Sequence, residues 1–222
     1  MRQGAIVSAI KECPILFSAP MVRAILEGRK TVTRREVKKL AALDCLAAGF
    51  EPAFLALPGN ADLCPYGKVG DQLWVQETWY CDHLEVMRGP YLKPDDLDIG
   101  EALNAGTLVY AADGLAPYEQ EQPTWKPSIH MPRWVSRILL EITDVRVERL
   151  QDISEEQAKA EGVRLMRDGS DTWVSREGPE NLVTPWPTAK EAFRDLWESI
   201  NGSDSWDANP WVWAITFGRV EQ

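Results

Sequence analysis

The sequence predicts an α+β fold: a small mixed β-barrel with short helices packed outside it and long loop insertions. Strand-like runs near both ends of the chain, a long alternating run in the middle and short amphipathic segments between them carry that prediction. At 222 residues the chain is long enough to bury a sizeable core. A single domain over 1–222, with an acidic insertion at 82–122 and a loop insertion at 164–187, is simpler than two domains, because 82–122 carries too little apolar periodicity to fold alone.

Residues 13–18 (CPILFS) are a short apolar run that reads as a strand. MVRAILEG follows as a short helix, with Met21, Val22, Ile25 and Leu26 apolar, a start at Ser18 and Pro20 and a stop at Gly28. RKTVTRR leaves that helix. Residues 41–48 read as a second helix, and 52–65 as a loop with its clearest turn at Pro58-Gly59-Asn60. A turn at Gly70-Asp71 opens a strand in which Leu73 and Val75 alternate with Trp74 and Gln76. Residues 82–122 are polar and broken by Pro90, Pro94 and Pro117, with one strand-like island at 107–112. The clearest β signal is 134–150 (WVSRILLEITDVRVERL), long enough for one bent strand or two. ISEEQAKAEGV sets Ser154 and Gln157 at capping-box spacing and predicts a helix ending at Gly162. TAKEAFRDLWESI predicts an amphipathic helix with Ala192, Phe193, Leu196, Trp197 and Ile200 on one side. NPWVWAITFGRV is a strand with Trp211, Trp213, Ile215 and Phe217 on one face.

A hydrophobic fraction of 45% and a charged fraction of 26% exclude global disorder and fibrous repeats. No run approaches the ~18 apolar residues of a membrane-spanning helix. Lys11 and Glu12 interrupt the start where a signal peptide would continue its apolar core, so the expectation is a cytoplasmic protein with no membrane partner. Cys13, Cys45, Cys64 and Cys81 form no CxxC pair, which predicts reduced core thiols rather than a zinc site. P-loop, Rossmann, HExxH and GxSxG patterns are absent, and neither metal nor cofactor is expected.

The net charge of −10 argues against coating nucleic acid by bulk electrostatics, but the charge is unevenly spread. Seven basic residues (Arg23, Arg29, Lys30, Arg34, Arg35, Lys38, Lys39) face only Glu27 and Glu36 between 23 and 39, whereas 82–122 holds nine carboxylates against Arg88 and Lys93. One positive face in a negative field favours a confined anionic ligand over a long polyanion. Six of the ten tryptophans lie in the last fifty residues, where they serve as core or as a stacking wall for a flat base.

ILEGRKTVTRR, GDQLWVQETW, ISEEQAKAEGV, the run WKPSIHMPRWVSRILLEITDVRVERLQDIS and the closing WVWAITF strand together resemble the ASCH family of the PUA-like superfamily, and more closely the longer ASCH-like proteins of bacteriophages and prophages. The resemblance runs from about Pro14 to Phe217. It implies a β-barrel with a cleft for RNA, a nucleotide or a modified nucleoside, working in a bacterial host cytoplasm. Some small bacterial members are amidohydrolases that deacylate cytidine acylated on its exocyclic amine, using a Lys, a Thr and a Glu. Carried over by motif, the Lys of GRKT is Lys30, the Thr three residues later is Thr33, and the Glu ending the SEEQAKAE helix is Glu161. This chain is about twice as long as those enzymes, which implies extra loops that reshape or close the cleft. Other relatives are linked to RNA binding or RNA cleavage, so a non-catalytic RNA or modified-base binding module and a metal-assisted ribonuclease stand as alternatives.

Acyl transfer needs a nucleophile, a proton acceptor and a donor for the developing oxyanion. Thr33 supplies the first. Either Lys30 is the base, with its pKa lowered by burial and by Arg29, Arg34 and Arg35, or Glu161 activates water while Lys30 polarises the carbonyl. Both assignments stay open. In a continuous strand Lys30 and Thr33 would point to opposite faces, so their convergence requires a turn or helix end at 28–31. Extended backbone beyond it would align Thr31, Thr33 and Arg35, with Arg35 as a phosphate or carbonyl contact. Substrate contacts are thus expected from Arg29, Thr31, Arg34 and Arg35. Glu77 is a further candidate, as a cleft residue or an Arg35 partner, as are Trp79 by stacking and His130 as a proton carrier or a structural histidine.

Overall fold

The computed structural model describes residues 10–89, 91–114, 124–175 and 183–221. In chain order the elements are β1 (Glu12–Leu16), α1 (Ala19–Leu26), β2 (Val32–Glu36), α2 (Leu40–Ala47), α3 (Pro52–Leu55), β3 (Gln72–Gln76), β4 (Trp79–Cys81), α4 (Leu84–Arg88), α5 (Ile99–Asn104), β5 (Leu108–Tyr110), β6 (Leu139–Arg149), α6 (Glu155–Ala160), β7 (Arg164–Leu165), β8 (Trp173–Val174), α7 (Ala189–Asn201) and β9 (Trp211–Val220). The α+β class therefore holds.

The main sheet follows from the alternation seen in sequence: Cys13 and Ile15 in β1, and Leu73 and Val75 in β3, turn to the core while their neighbours stay outside. Its order is β1-β3-β6-β9-β2, with β1 and β3 parallel and the remaining pairs antiparallel. The long central run is one strand, shorter than its sequence signal, and bends at a register shift between Ile142 and Asp144. Residues ahead of it instead form a single turn at Arg133–Val135.

Among the described residues the expected barrel does not close. β1 and β2 remain the two edges of the sheet. Pro14 sits inside β1 and has no N–H to offer a further ladder, which suits an edge. A side chain spans the gap instead: Arg35 Nη2 donates to the Leu16 carbonyl at 2.6 Å, and its guanidinium lies 5.3 Å from the centre of the Phe17 ring.

The acidic stretch at 82–122, whose residues 90 and 115–122 lie outside the described ones, contributes α4, α5 and β5. β5 pairs with β4, and Val86, Ala102, Leu108 and Tyr110 join Trp79, Cys81, Met131 and Val135 in a separate apolar cluster. Of the 164–187 loop, described apart from 176–182, β7 and β8 form a small hairpin. Cys13, Cys64 and Cys81 are buried, Cys45 is half-buried, and all four are free thiols. No helix among the described residues is long and apolar enough to cross a membrane.

The helix that sets the site forms as its sequence indicates. Ser154 Oγ accepts from Gln157 N at 3.2 Å while Gln157 Oε1 accepts from Ser154 N at 2.9 Å, closing a capping box at the start of α6. Glu155 then accepts from Ala189 N at 2.9 Å and so ties α6 to the start of α7. Ser154→Ala should cost about 1 kcal/mol, read as a lower urea midpoint at unchanged slope; no shift would mean the box does not stabilise α6.

Candidate functional site

Two chain reversals create the site. Helix α1 ends at Gly28, whose φ of 73° favours glycine, and the Arg29 and Lys30 amides both donate to the Ala24 carbonyl at 2.9 Å. Lys30 thus lies in a turn before β2, which meets the requirement set by its spacing from Thr33. The second reversal is at Gly162, after α6, with φ 99°. A Cβ there would stand 3.0 Å from Ala24 Cβ and 3.1 Å from Lys30 Cβ, so only glycine lets the two turns touch.

Contact between these turns seals a charge network. Lys30 Nζ donates to the Val32 carbonyl at 2.8 Å, the Glu161 carbonyl at 2.9 Å and Glu161 Oε2 at 2.8 Å, which uses all three ammonium donors. Arg34 Nη1 donates to the other carboxylate oxygen, Oε1, at 3.0 Å, and Arg34 Nη2 pairs with Glu148 on β6. Arg34 and Arg146 are both in register with Ala214, whose small side chain gives Arg34 room to meet Glu148. Lys30, Thr33 and Glu161 are 2%, 2% and 3% exposed. Burial holds the Lys30 amine below its ordinary value of 10.5, while the Glu161 carboxylate pulls the other way.

The network reaches an open cavity of about 610 Å³. Thr33, Arg34, Arg35 and Glu161 line it on one side, Leu196 and Ile200 of α7 with Phe193 and Trp197 on another, and Tyr66, Lys38 and Lys39 nearer the rim. Thr33 and Arg34 alternate along β2, yet both reach the cavity because β2 is an edge strand. Two donors of lining residues, Arg34 Nε and Trp197 Nε1, are buried without an acceptor among the described residues. Lys30 does not line the cavity and touches it through Glu161.

The other expected contacts divide. Arg35 lies on the cavity wall, and Arg34 lines it too, with its terminal nitrogens held by Glu148 and Glu161. Thr31 is exposed and lines a separate cavity, although its carbonyl accepts from Phe217 N at 2.9 Å beside the β2–β9 pairing; Arg29 also lines that cavity and donates to Glu27 Oε2 and the Gly162 carbonyl. Glu77 is buried beside Arg137, not Arg35, with 3.0 Å between Arg137 Nε and Glu77 Oε1, and does not line the cavity. Trp79 is wholly buried and packs edge-on to Tyr91 and Trp134. His130 is exposed, with its ring 6.2 Å from Tyr91, and is likewise remote from the cavity lining. The sequence reading missed Tyr66, Phe193 and Trp197 as cavity residues; the apolar stripe of α7 contained the last two, but the same stripe would have formed an ordinary core. Among the described residues no three His, Cys, Asp or Glu side chains stand together as a metal site would need.

Glu161→Ala would strand Lys30 and deprive Arg34 of one partner, so it should cost about 3–5 kcal/mol. Lys30→Met should cost distinctly less, because Arg34 still compensates Glu161. Equal losses in urea titrations would show that the two cations do not share the carboxylate. Since the folded chain holds the Lys30 proton less tightly than the unfolded one, this residue's contribution becomes more favourable as pH rises towards 10.5. The stability difference between wild type and Lys30→Met should therefore move in favour of wild type between neutral and alkaline pH, and a constant difference would contradict it.

Comparison with protein-family models, with curated proteins and with solved structures finds no match to this chain.

Proposed function

We propose that this chain is an ASCH-type, PUA-like protein that recognises a nucleobase, as a modified nucleoside or within RNA, and hydrolyses the amide of a cytidine-type base acylated on its exocyclic amine, with no metal. The observation that carries this reading is the buried Lys30–Glu161–Arg34 network opening onto a cavity with Thr33 in its wall. The cavity volume lies within the usual range for small-molecule sites. Tyr66, Phe193 and Trp197 supply flat apolar surface for a base, and Arg35, Lys38 and Lys39 suit an anionic phosphate at the rim. A phage or prophage protein acting in the bacterial cytoplasm fits this chemistry.

In the proposed reaction Thr33 Oγ attacks the acyl carbon, and its proton passes to the Lys30–Glu161 pair. The pair acts as one unit because the Lys30 ammonium and the Glu161 carboxylate are joined at 2.8 Å. The tetrahedral oxyanion forms in the field of Arg34, whose Nε has no other acceptor among the described residues. Collapse breaks the C–N bond, the departing amine takes the proton back, and water then releases the acid from Thr33. Lys30 polarising the carbonyl directly is the less favoured of the two assignments, since its three donors are occupied and its side chain is sealed from the cavity.

That same saturation favours a second reading, a binding module without chemistry, in which the pair only shapes the pocket. Purified protein incubated with acylated cytidine separates the two. Hydrolysis predicts released acid and free cytidine, with turnover reduced at least about 100-fold by Thr33→Val and by Lys30→Met. Saturable binding without product, weakened by Arg35→Ala and by added salt, would leave the binding module instead.

A further inference from the structure

The separate cavity that Arg29 and Thr31 line matches the first in volume, at about 610 Å³, but is shallower. Four cations, Arg29, Lys159, Arg164 and Arg167, stand in its lining against one carboxylate, Glu27, in a chain whose net charge is −10. Two of the four are compensated. Arg29 pairs with Glu27 at 2.6 Å, and Lys159 with Glu156 at 2.8 Å, while Glu155 and Asp171 also act on Lys159. Arg164 donates to the neighbouring Leu165 carbonyl at 3.3 Å, and neither it nor Arg167 pairs with a carboxylate among the described residues. Asp168, next to Arg167, accepts from Ser170 N at 2.9 Å. The carbonyls at the end of α6, which would repel an anion, are occupied: that of Lys159 by Gly162 N at 2.9 Å, that of Ala160 by Thr31 N at 2.9 Å and that of Gly162 by Arg29 Nη1 at 2.7 Å.

We propose that this cavity is a second ligand site, which takes a small phosphate monoester. A monoester carries about −1.5 to −2 at neutral pH, which matches the two arginines left without a carboxylate. Their planar forks offer paired donors to phosphate oxygens, whereas a single carboxylate would balance only one of them. Lys159, held 5.3 Å from the centre of the Trp173 ring, adds a third cation on the wall. The volume exceeds what a lone phosphate fills, and Val163, Leu165 and Trp173 give the organic part of the ester an apolar surface; Leu165 is 42% exposed without it. A long polyanion fits less well, because it would run on to Glu155, Glu156 and Asp171. None of Lys30, Thr33, Arg34 and Glu161 lines this cavity, so the inference stands apart from the amide hydrolysis.

The test titrates the full ¹⁵N-labelled chain, at fixed ionic strength, with ribose 5-phosphate, a nucleoside 5′-monophosphate, inorganic phosphate, the unphosphorylated nucleoside and a single-stranded RNA without terminal phosphate. The readout is the NMR signal of the Trp173 indole N–H and of the amides of residues 164–167. Both monoesters should shift these signals saturably and more tightly than inorganic phosphate, and the tighter of the two identifies the organic part as sugar or nucleotide; the nucleoside should leave them unmoved. Arg164→Ala and Arg167→Ala should each weaken monoester binding about three- to five-fold, and the double variant about ten-fold. Arg167 is exposed, so its replacement leaves the fold intact. Lys39→Ala, at the rim of the first cavity, should leave binding at these signals unchanged. No saturation by about 10 mM, shifts confined to Arg35, Lys38 and Lys39, or an affinity untouched by the double variant overturns the site. Binding of the nucleoside or of inorganic phosphate as tight as that of the monoesters, or RNA that displaces them, overturns the ligand class.

Discussion

The structure around the site depends on one ammonium sealed against one carboxylate. Lys30 and Glu161 are 131 residues apart in sequence, and their ion pair fastens the turn after α1 to the residue that caps the C-terminus of α6. Much of the cavity lining is carried by elements tied to those two segments: β2 leaves the Lys30 turn carrying Thr33, Arg34 and Arg35, and α7 is held to α6 through Glu155. Gly162 is the geometric condition for this contact, because a side chain there would occupy the space of Lys30 Cβ.

A buried pair of this kind is a poor device for stability alone. Desolvating both ions costs several kcal/mol each, and mutual attraction with good hydrogen bonding only offsets that. Here the offset is unusually complete. Three acceptors surround the ammonium, two cations share the carboxylate, and Glu148 balances Arg34. The four side chains sum to no net charge. Such a network resists perturbation by an uncharged ligand but responds to any proton that enters it, since moving one charge leaves the other three unbalanced in a medium of low polarisability. Glu161 is the member of the Lys30–Glu161 pair that lines the cavity, so a proton released there would meet the pair through it.

Local signals in the sequence were legible and distant ones were not. Gly28, the capping box of Ser154 and Gln157, and the apolar stripe of α7 each act within a few residues, so their meaning survives without a structure. The need for a turn before Thr33 was likewise a matter of strand periodicity. What failed depended on partners far along the chain. Neither reading of Glu77, as a cleft residue or an Arg35 partner, pointed to Arg137, sixty residues away. Nothing near Arg34 in the sequence announces Glu148 and Glu161 as its partners. The acidic stretch, read as too poor in apolar periodicity to fold alone, packs its few apolar residues on Trp79, Met131 and Val135 outside it. Barrel closure is a property of two edges meeting, and β1 with Pro14 inside gave no measure of how near β2 would come.

Charge distribution explains why the confined positive face expected from residues 23–39 ends up as a gradient rather than a patch. Lys30 and Arg34 are spent inside the balanced network, so the cavity floor carries little net field. Arg29 turns away towards Glu27 and the Gly162 carbonyl. Only Arg35, Lys38 and Lys39, opposed by Glu36, act at the opening. A ligand neutral at its inner end and anionic at its outer end would suit such a gradient, with apolar surface from Phe193 and Trp197 and positive charge from Arg35, Lys38 and Lys39. A polyanion lying flat across the surface would meet the carboxylates that dominate the rest of the chain, and would lose more by repulsion there than three rim cations return.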